Sequence, residues 1–245
     1  MKDKSLFKKI LSLLAIVLFV VLSFVFIPKI KINNPDNKRE TIVIDKDEVE
    51  DQVIKDWEKY YKNETDLSSI REKYDNNDII AELYIPDVFD VYIAKTSNNE
   101  YYLDHSLYRK KDIKGAEYMD YRVDIDSEQI NIYGHNSSTF NIPFRQLEKF
   151  LKQEFFEEHP YIILTYDGGE KAYEILSIKE VSKDYEHMKV KPDNMVEHID
   201  KLKNDSIFVR NLKYDENTRL LVLQTCSYAH EDNYYVITAI EIDKK

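Results

Sequence analysis

A charge-free apolar run near the N-terminus, residues 10–28, constrains this chain more than any other feature. Its 19 residues would form about 30 Å of helix, which matches the hydrocarbon core of a bilayer. A basic flank precedes it and predicts a cytoplasmic N-terminus with the rest of the chain outside (Lys2, Lys4, Lys8 and Lys9 against Asp3). A cleaved signal peptide and a buried soluble helix are the alternatives, but the run is longer than a signal-peptide core and does not end in small residues. The sequence therefore predicts that residues 1–28 are a cytoplasmic flank and an uncleaved single-pass anchor in the cell membrane.

The composition excludes several function classes for the part beyond the anchor. The chain has 46 acidic and 35 basic residues among 245, and because the anchor region is itself basic, the remainder is too acidic for a broad nucleic-acid role. Four glycines cannot form a glycine-rich nucleotide loop, and one cysteine excludes disulfide frameworks and multi-cysteine metal sites. The acidic stretches at 45–51 and 124–128 are interpreted as a solvated helix start and a solvated turn. No metal and no cofactor is expected.

The remaining sequence is interpreted as a linker followed by one extracytoplasmic domain. Residues 29–44 are rich in proline and asparagine and are interpreted as the linker, and residues 45–245 as the domain. Apolar residues including Trp57 recur at helical spacing within residues 45–63, which predicts an amphipathic helix. Shorter helices are predicted at 66–75, 144–153 and 194–203.

Most of the domain has a sequence pattern typical of β-strands. Short β-branched and aromatic runs alternate with polar loops, which favours a β-barrel or sandwich with helical decoration. Gly168 and Gly169 separate two of the runs and predict a tight hairpin. The predicted strands are 79–86, 91–96, 130–134, 161–167, 171–178, 219–225 and 234–242.

The lone cysteine, Cys226, is predicted at the rim of the sheet, because an apolar strand precedes it and a polar loop follows. It is either a reactive thiol or a small buried hydrophobic residue. A reactive thiol needs a base or a cationic partner. His135 is placed in the same way, since it follows the strand INIY and Gly134, which would let the backbone turn sharply. These residues indicate a possible Cys/His site.

The other histidines are weaker candidates. His230 lies only four residues after Cys226, so sequence alone does not dismiss it as the partner. His187 and His198 lie among charged residues and are interpreted as surface residues.

The combination of the strand-end motif LVLQTCSY, the motif IYGHN and an N-terminal anchor closely resembles a class B sortase. The resemblance covers residues 45–245. It implies a mainly β fold, an eight-stranded sortase-type barrel with N-terminal helices, and a helix in the insert before the cysteine strand, at about 182–210. One transmembrane helix would precede this domain.

The resemblance also implies an activity. Cys226 would attack the carbonyl after threonine in a C-terminal sorting signal and form a thioester, while His135 would protonate the leaving amine. A cell-wall peptide or lipid-linked peptidoglycan precursor would then supply a second amine, which completes a transpeptidation without a cofactor. The partners would be secreted proteins with such signals. Gln224, Thr225 and Tyr185 would line the substrate groove, although Tyr185 also fits a surface tyrosine.

One feature departs from the family pattern. Sortases carry an arginine on the strand after the cysteine, and Tyr234 stands at that position here. Three explanations stay open: Tyr234 acts as a neutral donor, Arg219 or Arg210 reaches the site from elsewhere, or the protein is a catalytically inert module that binds sorting-signal peptides. A tyrosine hydroxyl can donate one hydrogen bond but is uncharged at pH 7.

Overall fold

The computed structural model describes residues 41–44, 56–182, 186–230 and 232–242. The predicted anchor, most of the predicted linker and the first part of the helix predicted at 45–63 lie outside these ranges. Among the described residues, no helix combines the length and the apolar character needed to cross a bilayer.

Ten strands form one sheet, and they follow the β-branched and aromatic runs of the sequence. All seven predicted strands are present, and the hairpin turns at Gly168, whose φ is +88°. The strands are β1 (Ile42–Ile44), β2 (Ile79–Ile85), β3 (Phe89–Ala94), β4 (Tyr118–Met119), β5 (Gln129–Tyr133), β6 (Tyr161–Tyr166), β7 (Gly169–Val181), β8 (Phe208–Arg210), β9 (Leu220–Cys226) and β10 (Tyr234–Ile242).

Eight of these strands close into a barrel. The order β6-β2-β3-β4-β5-β9-β10-β7 returns to β6, because β7 pairs with both β10 and β6. The prediction of an eight-stranded barrel is therefore confirmed. The strands β8 and β1 extend from the long β7 outside the ring, and β1 places the last residues of the predicted linker in the sheet.

Alternation along the strands decides which side chains fill the barrel. On β9, Leu221 and Leu223 belong to the main core cluster, whereas Leu220 belongs to a second cluster. Successive side chains of a strand point to opposite faces, so Leu220, Gln224 and Cys226 share the outer face. This assignment determines where the candidate site lies.

The helices are short. The part of the 45–63 helix that the structure describes is a 3-10 helix (Asp56–Tyr60), followed by α1 (Ser68–Tyr74). The helix predicted at 144–153 is a 3-10 helix (Pro143–Leu151). The extended backbone of Lys152 ends it, and a separate α2 (Gln153–Glu158) follows that was not predicted. Phe144, Leu147 and Phe150 of this 3-10 helix join the barrel core.

The insert between β7 and β8 contains the predicted helix, α3 (Met195–Lys203). The Asn194 side chain caps α3 by accepting a hydrogen bond from the Glu197 backbone N–H at 2.7 Å. Apolar residues of α3 pack on the outer face of the barrel at the start of β9 (Met195, Ile199 and Leu202 with Leu176, Leu220 and Ile240). The insert thus covers one part of the outer wall.

Candidate active site

The strands β5 and β9 bring the two candidate residues to one edge of the barrel. They run parallel, and Tyr133 pairs with Gln224 at the end of the ladder. The Gly134 backbone N–H donates to the Gln224 carbonyl at 3.2 Å, and the Thr225 hydroxyl donates to the Gly134 carbonyl at 2.9 Å. Neighbouring strands are about 4.8 Å apart. His135 and Cys226 therefore leave adjacent strands side by side, although 90 residues separate these two segments in sequence.

Cys226 is a free thiol on an exposed residue. This exposure excludes the interpretation of Cys226 as a small buried hydrophobic residue. Neighbouring atoms still withdraw water from the sulfur, and this burial raises the pKa of the Cys226 thiol. The protonated thiol therefore predominates at pH 7, and a base must take its proton before the sulfur becomes a strong nucleophile.

The His135 ring is fixed by two contacts. Its Nε2 bonds the Leu103 carbonyl at 2.7 Å, and because a carbonyl only accepts, Nε2 carries a proton. The ring edge packs on Gly115, where a Cβ atom would lie 2.9 Å from His135 Cδ2. The ring nitrogen Nδ1 is not used in the bond to Leu103. It is the atom of His135 that can exchange a proton with a thiol or an amine.

Tyr234 lies directly across from Cys226. The antiparallel pair β9 and β10 aligns these two residues, so their side chains project from the same face with Cβ atoms about 5 Å apart. Buried Tyr118 on β4 lies near both. Burial is the main cause that raises the pKa of Tyr118; the negative charge of Asp120 comes next, and the ionised forms of Cys226 and Tyr234 contribute less.

The two alternative arginines lie elsewhere. Arg219 precedes β9 at its opposite end, roughly 20 Å of strand from Cys226, and its Nη1 donates to the Asp126 carbonyl at 3.0 Å. Arg210 is buried and donates to the carbonyls of Ile175 and Phe156. Neither guanidinium lies across from Cys226, and Tyr234 is the residue that pairs with it on β10.

A sortase domain family model matches residues 83–241, well over half of the chain. The chain belongs to the sortase family. The sortase B of Listeria monocytogenes is 30% identical over 160 residues, 62% of this chain and 63% of that protein. The sortase B of Staphylococcus aureus is 24% identical over 163 residues, 64% of this chain and 66% of that protein. The chain spans just under two thirds of the length of these two relatives.

Solved structures agree with this assignment. The X-ray structure of Clostridium perfringens sortase B has a TM-score of 0.67 at 27% identity and covers 72% of this chain and 100% of that chain. A Staphylococcus aureus sortase B–substrate complex shares the fold, with a TM-score of 0.65 at 22% identity, 71% coverage of this chain and 85% of that chain. The class B assignment predicted from the motifs is confirmed.

In this class B sortase, the insert is attached beside the candidate site by buried histidines. His187 and His198 are 1% and 2% exposed, so their interpretation as surface residues was wrong. His187 Nε2 donates to Gln224 Oε1 at 2.8 Å, and its carbonyl accepts from Gln129 and Asn131. Burial lowers the pKa of His187 to about 4, so the ring is neutral at pH 7. This contact fixes Gln224, two residues before Cys226 on the same face.

The other predicted groove residues are placed differently. Thr225 is buried and faces away from Cys226, and its hydroxyl ties β9 to Gly134. It holds the two strands together and does not line the outer face. Gly134 is required for space, because a Cβ atom there would lie 2.6 Å from the Phe144 ring; its φ is not positive. Tyr185 lies outside the described residues.

The loop between β9 and β10 is fastened by a carboxylate that the sequence did not reveal. Glu180 Oε1 accepts hydrogen bonds from Ser227 at 2.7 Å, His230 at 2.7 Å and Asn233 at 3.3 Å. Burial alone would raise the pKa of Glu180, but these donors outweigh it and lower the pKa. His230 Nδ1 is committed to Glu180, so His135 is the better candidate partner for Cys226.

A second missed residue, Asn136, joins the two candidate segments. Its side chain donates to the Cys226 carbonyl, and it follows His135 directly. Its position directly after the candidate histidine could have drawn attention to Asn136. Only the pairing of β5 with β9 shows that it contacts the Cys226 carbonyl. Within the ranges that the structure describes, no group of three or more His, Cys, Asp or Glu side chains is placed to hold a metal ion.

Proposed function

We propose that this protein is a membrane-anchored cysteine transpeptidase. It cleaves a C-terminal sorting signal after threonine through a thioester on Cys226 and transfers the protein to a cell-wall peptide amine. The observation that carries this proposal is the in-register end of β5 and β9, which sets His135 beside an exposed thiol. Membership of the sortase family supports the reaction class.

The first half of the reaction makes the thioester. The Cys226 proton passes to His135 Nδ1 while the sulfur attacks the threonine carbonyl carbon, and the carbonyl oxygen becomes an oxyanion. The Tyr234 hydroxyl donates to this oxyanion. When the carbon–nitrogen bond breaks, His135 returns its proton to the leaving amine. The raised thiol pKa makes this base essential, since little thiolate is present before the substrate binds.

The second half reverses these roles. An amine attacks the thioester carbonyl and loses a proton to His135, and the carbon–sulfur bond breaks to return the Cys226 thiol with that proton. A new amide joins the protein to the acceptor. The acyl group stays linked as a thioester between the two halves, so one amide replaces another and no cofactor is consumed.

The cellular setting follows from the same proposal. Residues 10–28 hold the enzyme in the cell membrane with the N-terminus in the cytoplasm, and the domain from residue 45 works on the outer side. Its clients are secreted proteins with C-terminal sorting signals, and its acceptor is a peptidoglycan precursor or cell-wall peptide.

Peptide turnover by the full-length chain in detergent tests this function. A fluorogenic sorting-signal peptide with threonine at the cleavage point should be cleaved, and hydroxylamine should convert the thioester to a hydroxamate. Cys226→Ala should abolish cleavage, because no thioester can form. His135→Ala should slow it by about 10²–10⁴-fold, the usual contribution of a general acid–base.

The inert module is the second candidate, because a tyrosine stands where the family arginine is expected. It predicts that sorting-signal peptides bind with no cleavage and no hydroxamate across a panel of signal sequences. Cleavage that survives in Cys226→Ala would contradict both candidates.

A further inference from the structure

Asn136 is a buried amide whose polar atoms are all used inside the protein. Asn136 is only 7% exposed. One Nδ2 hydrogen goes to the Cys226 carbonyl at 2.8 Å and the other to Glu148 Oε1 at 2.6 Å. Its Oδ1 accepts from the Ser137 backbone N–H at 2.8 Å. Both donors of this side chain are therefore used inside the protein, and its oxygen is bonded to the backbone of the next residue.

The two acceptors of this amide belong to different parts of the fold. Cys226 ends β9, and Glu148 lies on the 3-10 helix whose apolar residues fill the barrel core. Asn136 itself continues from β5 through His135. A single planar amide therefore joins the nucleophile strand, the histidine segment and a core-anchored helix.

A second contact strengthens the same connection. The Tyr228 hydroxyl, on the loop after Cys226, donates to the Asn136 carbonyl at 3.1 Å. The loop after the cysteine and the loop after the histidine are thus tied at two points beyond the last ladder bond.

We propose that Asn136 is a positioning residue: through its amide it holds the Cys226 backbone at a fixed separation from His135, with Glu148 as its anchor. Its effect on catalysis rests on the proposed function, but its effect on the thiol does not. A displacement of about 1 Å between reacting groups can cost 10²-fold in rate. Each of the two hydrogen bonds donated by the buried amide opposes such a displacement.

Alkylation of Cys226 by iodoacetamide tests whether the Asn136 amide holds Cys226 in place, and it needs no sorting peptide. The rate is measured from pH 6 to pH 11 for the full-length wild type and for Asn136→Ala. Loss of the two hydrogen bonds from the Asn136 amide should let water reach the sulfur. The pH midpoint of the alkylation rate should then fall toward that of an ordinary thiol, and the rate at high pH should rise several-fold. An unchanged midpoint and plateau in a folded Asn136→Ala protein would overturn the proposal.

Thioester formation with the fluorogenic peptide is the second measurement. Asn136→Ala should lower kcat by about tenfold to 10²-fold with KM within twofold, because the amide touches the enzyme and not the substrate. A raised KM with unchanged kcat would instead make Asn136 a substrate-binding residue and contradict the positioning role.

Asn136→Asp distinguishes the effect of the side-chain shape from the effect of the hydrogen bonds that the amide donates. It keeps the side-chain volume but cannot donate, and it faces Glu148 with a like charge. The double variant Asn136→Asp/Glu148→Gln restores a donor toward the helix but not toward the Cys226 carbonyl, so its kcat should stay low. Recovery of kcat in the double variant would show that only the link to Glu148 matters and would overturn the role assigned to the Cys226 carbonyl.

Asn194→Asp is the matched control. It makes the same chemical change at the cap of α3, where the oxygen accepts and an aspartate serves equally well. It should keep wild-type alkylation and turnover. If the wild type cleaves no peptide, the proposed function fails, and the alkylation profile still decides whether Asn136 holds Cys226.

Discussion

The two ends of β9 present the same outer face in opposite environments. At the covered end, Leu220 is fully buried under α3. At the open end, Cys226 is exposed, Tyr234 lies across from it, and the contacts that hold this region are hydrogen bonds from Asn136 and to Glu180. His187 lies at the boundary, where it binds Gln224.

This difference shows how one strand provides both stability and a site. Apolar burial is non-directional and stabilises the covered end over a broad area. The proposed function requires the open end to stay accessible to a substrate, and there directional hydrogen bonds fix the geometry instead. The two ends should therefore respond differently to substitution: stability should change at one and reaction rate at the other.

Apart from the loss of Cys226 or His135 themselves, the largest effect is expected at Tyr234. Tyr234→Phe removes the proposed oxyanion donor and should slow thioester formation by about 10²–10³-fold without a change in the denaturation midpoint. Tyr234→Arg should keep or raise the rate, because a guanidinium donates and adds a positive charge. The measurement is single-turnover acylation of Cys226 by a sorting-signal peptide.

Tyr121→Phe is the control for this change, since Tyr121 is an exposed tyrosine and should behave as wild type. Equal acylation rates for the wild type and Tyr234→Phe would remove Tyr234 from the mechanism.

Truncation at the covered end should affect stability. Leu220→Ala removes a fully buried side chain from the α3 cluster and should cost about 3 kcal/mol of unfolding free energy, measured by urea denaturation. The iodoacetamide rate of the folded fraction should stay the same. Val43→Ala, at a residue that is 60% exposed, should change stability by less than about 0.5 kcal/mol. A large loss of thiol reactivity in Leu220→Ala would show that the two ends are coupled.

His187, at the boundary between the two ends of β9, should make the stability of the protein depend on pH. Its pKa is lowered to about 4 in the folded state by burial, below the value of about 6.5 in an unfolded chain. The unfolded chain therefore binds the extra proton, and stability should fall as pH drops from about 6.5 to 4, by at most about 3 kcal/mol. His187→Gln should flatten this part of the profile. A profile equally steep in the variant would show that His187 does not titrate on unfolding.

The smallest effect is expected at Glu180. Glu180→Gln weakens the fastening of the β9–β10 loop and should cost about 1–2 kcal/mol at pH 7. The folded-state pKa of Glu180 is lowered, so this contribution is present above the unfolded pKa of about 4.3 and is lost as pH falls through the folded value. Denaturation curves of the two proteins should therefore converge in acid. A constant difference down to pH 2 would contradict this account.

Local patterns predicted much of this architecture. The apolar and β-branched runs gave the long strands, and the helix predicted at 194–203 is present as α3. The two-residue β4 and the three-residue β8 were not predicted, because strands this short carry no periodicity. The helix predicted at 144–153 is the 3-10 helix, and α2 after it was not predicted.

The buried histidines show a different limit. His187 and His198 have charged neighbours in sequence, yet the insert folds them onto polar residues of β5. Burial here depends on which surface the insert meets, and nothing within a few residues of either histidine reports that surface.

The sequence by itself determined the alternation of the strands, the family and the two residue types that can form a thiol–imidazole couple, because these depend on local patterns and short motifs. Only the tertiary structure decided that β5 pairs with β9 in parallel, that Tyr234 and no arginine lies across from Cys226, and that Asn136 joins the two segments. The contacts between the β5 and β9 segments connect residues about 90 positions apart. Their register depends on closure of the whole barrel, which no local stretch of sequence encodes.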